Sequence, residues 1–214
     1  MTDQVQKSNR KRKIRALLAG GLVLGVGAAI TLAAWTDNVF GNSDFATGDA
    51  AWNLQGNFST GAPAWTPEYN VSPGGAIQFP VPLKDNLSPG DVVRAPLGLR
   101  LEPGQTLGAS ITLTGPTIAP TNVLANALTY GIYTGVTAAD CVSGNIGTST
   151  VVPAGSPLST GTATPITISS GTDAENGTPV ELCFVVTLPA NTPNTASGLQ
   201  TGQLVWDFAG TSIA

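Results

Sequence analysis

From Leu107 to Thr114 the side chains alternate without a break. Leu107, Ala109, Ile111 and Leu113 are apolar, while Gly108, Ser110, Thr112 and Thr114 are small or polar. A period of two places every apolar side chain on one face of an extended strand, so this stretch predicts a half-buried β-strand. Pro103-Gly104 precedes it, and Pro89-Gly90 precedes another apolar segment, residues 92–101, with Leu97, Leu99 and Leu101 on one face. Pro presets the first torsion of a tight turn and Gly accepts a positive second one, so each pair separates two strands. Near the C-terminus Leu182, Phe184, Val186 and Leu188 face one way, with Cys183, Val185 and Thr187 opposite. Leu204, Trp206 and Phe208 repeat the pattern, with Asp207 opposite.

Weaker segments fill the intervals. Trp52, Leu54 and Phe58 mark a loose strand, Leu128, Tyr130 and Ile132 a further one, and Ile166 and Ile168 a short one. Residues 77–83 read as an edge strand, because Pro80 and Pro82 lack the amide donors that a central ladder needs. A short helix over 120–127 would take Thr121 or Asn122 as its cap. Residues 61–73, 137–149, 151–164, 171–179 and 189–201 read as loops or turns rich in Gly, Pro, Ser, Thr or Asn. Eight or so short strands with almost no helix predict an all-β protein built as a two-sheet sandwich. An immunoglobulin-like Greek key is the second architecture, although no Trp lies between Cys141 and Cys183.

The N-terminus has a different character. A basic cluster at residues 7–15 is followed by an apolar run at 16–32 and a small-residue exit, the three-part pattern of a secretory signal. Cutting after Ala33 places Thr31 and Ala33 at the two small-residue positions and makes Ala34 the new N-terminus; cutting after Ala34 would put Leu32 upstream. Residues 1–33 are therefore read as the signal, 34–45 as an arm or first strand, and 46–214 as the sandwich domain. The bland alternative is an uncleaved anchor, since residues 16–34 approach the ~20 that span a bilayer. Membrane contact is expected only through that uncleaved signal.

Export changes the meaning of the charge. The 214-residue chain is formally −4, but six of nine basic residues precede the apolar run while Asp3 is the only one of thirteen acids to do so. From Ala34 onward three basic and twelve acidic side chains remain, a balance that repels phosphate backbones, and no nucleic acid partner is expected. Export also makes a Cys141–Cys183 disulfide plausible. The loop it closes would be worth about 4 kcal/mol in the chain-entropy model. The alternative is two buried free thiols.

Three stretches carry a resemblance. The junction Thr-Leu-Ala-Ala-Trp-Thr-Asp (31–37) resembles those cut by the SipW-type signal peptidase of Gram-positive bacteria. Asn-Leu-Ser-Pro-Gly-Asp (86–91) is similar to the turn that leads into a long strand in the family of exported proteins that includes TasA and the camelysins. Glu-Leu-Cys-Phe-Val-Val-Thr-Leu-Pro (181–189), then Leu-Gln-Thr-Gly (199–202) and Leu-Val-Trp-Asp-Phe (204–208), resemble the C-terminal strand pair of that family, especially its actinobacterial members. The resemblance implies a jelly-roll sandwich. It also implies processing by a SipW-type peptidase during export and, as in the biofilm matrix, self-assembly into fibres by donor-strand complementation. The candidate donor residues are Trp35, Val39 and Phe40. The plainer reading makes this arm the first strand of its own sandwich.

The residue inventory narrows the chemistry. The chain has no His, which removes His-based zinc sites and Ser-His-Asp or Cys-His nucleophile systems. It has no Walker-type loop and no Cys-x-x-Cys. Camelysins are often described as metalloproteases, and these residues give that activity no support. The expectation is a non-enzyme with no cofactor, secreted or held at the cell surface as a structural subunit. Loop carboxylates such as Asp173 and Glu175 are the nearest pair for a calcium ion. The second functional class is a monomeric adhesin or glycan-binding module presenting Trp52, Trp65 or Tyr69.

Overall fold

The computed structural model describes residues 13–14, 52–66, 74–171 and 177–214. The chain divides into two units, residues 1–46 and 47–214. In the first unit only Lys13 and Ile14 are described; both are helical and exposed. The expected signal, its cleavage positions Thr31, Ala33 and Ala34, and the arm residues Trp35, Val39 and Phe40 lie outside the described residues.

The second unit is mostly β. Its strands are β1 (Leu54–Asn57), β2 (Trp65–Thr66), β3 (Val92–Leu101), β4 (Gly108–Thr114), β5 (Thr129–Thr134), β6 (Ser149–Pro157), β7 (Ile166–Ile168), β8 (Val180–Thr187) and β9 (Asp207–Ile213). Six form one sheet in the order β2-β1-β3-β8-β5-β6, and three form another in the order β7-β4-β9. Every pairing is antiparallel. The molecule is thus an all-β fold of two antiparallel sheets with sandwich character.

Register explains the core. Opposite Val93, Ala95 and Leu97 of β3 stand Val186, Phe184 and Leu182 of β8, and opposite Val186 and Phe184 stand Tyr130 and Ile132 of β5. These side chains share one face of the large sheet and are buried. From the small sheet Ala109, Ile111 and Leu113 of β4 and Ile166 and Ile168 of β7 join the same core. Trp206 meets Phe184 edge-on at 5.6 Å between centroids, and Phe208 does so at 6.3 Å. The alternation expected in β3, β4 and β8 is therefore the alternation observed. Leu107 departs from it: it precedes β4 and stays 41% exposed.

Turn chemistry is equally direct. Gly90 takes φ 99° and Asp91 donates its N–H to the Ser88 carbonyl at 2.9 Å. The Asp91 carboxylate accepts the Ser88 N–H in return at 2.7 Å, which closes the turn that launches β3. The expected short helix is α1 (Val123–Ala127), capped by Asn122, whose side chain accepts the Ala125 N–H at 3.0 Å.

Three expectations are corrected. The segment read as a loop around Cys141 contains helix α2 (Ala138–Ser143), started by the Thr137 side chain and stopped by Gly144 at φ 107°. It packs on β3 and β8 and covers Cys183, to which Cys141 is disulfide-bonded over a separation of 42 residues. Both sulfur-bearing residues are fully buried although Cys183 points away from the core. The stretch read as an exposed Pro- and Ser-rich loop supplies β6, which is an edge strand and so needs little apolar surface. Residues 77–83 form no strand: Pro80 and Pro82 cannot donate, and the chain turns into a 3₁₀ segment at Leu83–Asp85.

Candidate functional site: an open groove between the sheets

Among the described residues one sheet has six strands and the other three, a difference of roughly 14 Å in width at the usual spacing of about 4.8 Å. Beside β9 runs a groove of about 1350 Å³. Its floor is the inner face of the large sheet, with Leu54, Val93, Leu99 and Val186. Leu204, Trp206 and Phe208 line it, as do Gly74, Gly75, Ile77 and Phe79, together with Phe58. A Cβ on Gly75 would fall 2.1 Å from Phe58, so the ring lies directly against that glycine. Lys84 and Asp85, an exposed ion pair at 2.6 Å, also line the groove.

Trp52 packs against the core, and a Cβ on Gly210 of β9 would lie 3.0 Å from its indole. At this point β1 and β9 touch through Trp52 and Leu54. The indole N–H of Trp52 is buried without a partner among the described residues.

The backbone beside the groove has no second strand neighbour among the described residues. Among the described residues β9 pairs only with β4, and residues 204–206 continue it without strand pairing. The other sheet edges differ. β2 has two residues and β7 three; β6 is long but contains Pro153 and Pro157 and shifts register against β5. Proline and irregular register are devices that discourage edge pairing. β9 has neither, and its one charged residue is Asp207 at the start.

Of the aromatic residues expected on a glycan platform, the described pair Trp52 and Trp65 stand on opposite faces of the large sheet. Trp52 belongs to the inner side, with Leu54. Trp65 pairs with Asn57, which is one residue out of phase with Leu54 and Gly56, so it stands on the outer face. Buried Asn57 fixes that placement by accepting the N–H groups of Ser59 and Ala64 at 3.2 and 3.0 Å. The Trp65 ring is covered by the Arg100 guanidinium, 4.4 Å from its centroid, and Arg100 also donates from Nε to Gln55 at 2.9 Å. Burial lowers the Arg100 pKa, and nearby Glu102 opposes that shift. Tyr69 lies outside the described residues, as do Asp173 and Glu175. Among the described residues no three acidic or cysteine side chains are grouped as metal ligands.

The groove itself was not visible in the sequence as a site. Its only local signals were the alternation of Ile77 and Phe79 and the proline-free strand at the C-terminus. Comparison with known proteins returned no matching family model and no matching curated protein.

Proposed function

We propose that this is a secreted or cell-surface structural subunit that assembles with copies of itself into extracellular fibres. Its sandwich is of jelly-roll type, and the arm at residues 34–45, freed when a SipW-type peptidase removes the signal, enters the groove of the next copy. The observation that carries this reading is the apolar groove beside the unprotected edge of β9. That edge has no second strand partner among the described residues, so an entering strand would gain backbone partners and an apolar floor for alternate side chains, which is the physical basis of strand addition. Trp35, Val39 and Phe40 are the donor side chains. The contact joins two different surfaces, so it propagates into an open fibre and does not close a ring.

Electron microscopy of protein beginning at Ala34, beside protein beginning at Phe45, tests the reading. Filaments from the longer form alone are the expected result. Monomers from both at high concentration, confirmed by sizing, would remove self-assembly from the account.

A further inference from the structure

We infer that residues 135–148 form a flap fastened to the large sheet by the Cys141–Cys183 bond alone, and that the chain is a substrate of thiol–disulfide exchange, which closes the flap over a sheet already formed. The flap is the connection between β5 and β6. Its base is fixed, because Thr134 pairs with Ser149 and the Thr148 N–H donates to the Thr134 carbonyl at 3.2 Å. Its body folds back over the outer face, and α2 rests on β8 and β3, beyond the strands that carry it. Little besides the bond holds it there. Cys141 is the one buried residue of α2; Ala138 is half-buried, while Ala139, Asp140, Val142 and Ser143 are exposed. Outside the helix, Val136 and Ile146 are half-buried. The hydrogen bonds of the flap are its own. The Thr137 hydroxyl accepts the Asp140 N–H at 3.1 Å and donates to the Asp140 carboxylate at 2.7 Å, and the Asn145 N–H donates to the Asp140 carbonyl at 2.9 Å. Among the described residues none runs from residues 135–147 to β3 or β8. Pinning a segment of this length costs backbone entropy that one buried side chain does not offset.

The sheet does not need the flap. Neither cysteine belongs to the hydrophobic core, which lies on the other face. Cys183 sits on β8 between Pro96 of β3 and Tyr133 of β5. Those ladders set its position, so the open chain presents one fixed thiol on the sheet and one mobile thiol, Cys141, on the flap. Once the flap closes, both are fully buried and out of an oxidant's reach. The exchange therefore runs before or during closure. The Cys141 thiolate attacks one sulfur of a disulfide oxidant, which forms a mixed disulfide and releases one thiol. The Cys183 thiolate then attacks the Cys141 sulfur and releases the second. Two protein thiols give up two electrons and two protons, and the oxidant leaves as two thiols carrying both.

Thiol labelling in protein beginning at Ala34 tests the flap. Cys141→Ala leaves Cys183 as the only thiol. A core reporter, Val152→Cys on the Cys141→Ala/Cys183→Ala background, reacts only when the sandwich opens, because position 152 is fully buried in the core. Without denaturant, iodoacetamide should modify Cys183 roughly a hundredfold faster than the reporter thiol, since a local opening is far more frequent than a global one. Equal rates would overturn the flap, because α2 would then stay docked without its bond. Loss of a cooperative melt in Cys141→Ala would overturn it as well, because the sandwich would then need the bond. A second measurement follows the exchange itself. Oxidised glutathione should form a mixed disulfide at Cys141 in Cys183→Ala with the same advantage over the reporter thiol, and should close the bond in reduced parent protein at that rate, both read by mass. Reaction of Cys141 no faster than the reporter thiol would overturn the exchange step.

Discussion

Gly98 shows how little room a single position on the outer face leaves. A Cβ there would fall 2.9 Å from both the Trp65 ring and the Glu181 carboxylate. Gly98→Ala should therefore cost about 1–3 kcal/mol by overpacking and lower Tm by several degrees in a thermal melt. Glu181 itself is held in an unfavourable place. Its Oε2 is buried without a hydrogen-bond partner among the described residues, and burial raises its pKa above the usual glutamate range. An acid whose pKa rises on folding is penalised when ionised. Its contribution is fully present below the unfolded pKa and is lost as pH rises through the raised folded value. Glu181→Gln should make stability less dependent on pH across that window and raise it slightly at neutral pH, by less than about 1 kcal/mol for a group that is only half-buried. Melts of the two proteins between pH 4 and roughly 8 decide the point; parallel curves would contradict the assignment.

At the scale of elements, the disulfide joins a short helix to the centre of the large sheet. Helix α2 has six residues, too few to hold together alone. The Cys141–Cys183 bond fixes it over β3 and β8. Replacing both cysteines with Ala should lower the stability found by denaturant titration by about 4 kcal/mol, the loop-entropy value for this separation. An equal loss should appear in the parent protein unfolded under reducing conditions. The same scale shows what local pattern can and cannot disclose. β3, β4 and β8 were legible because one face of each is buried and the other is not, which imposes a period of two. β6 was not, because an edge strand carrying Pro153, Gly155 and Pro157 has the composition of a loop. Residues 77–83 misled in the opposite sense. Alternation of Ile77 and Phe79 reports where side chains point, whereas a strand also requires a partner for its backbone.

The groove belongs to the whole molecule. No segment encodes that one sheet has six strands and the other three, so the site could not be read from any motif. Strand addition at the groove makes a thermodynamic prediction. A peptide of residues 34–45 added to protein beginning at Phe45 should raise its Tm in a concentration-dependent way, the added stability being about 2.7 kcal/mol when free peptide is at a hundredfold excess over Kd. A peptide with Trp35, Val39 and Phe40 replaced by Ser should leave Tm unchanged. The edge of β9 has a consequence for the ends of an assembly. In a fibre joined through this groove every contact would use the groove of one copy and the arm of another. Such a fibre is polar, one end showing an open groove and the other a free arm.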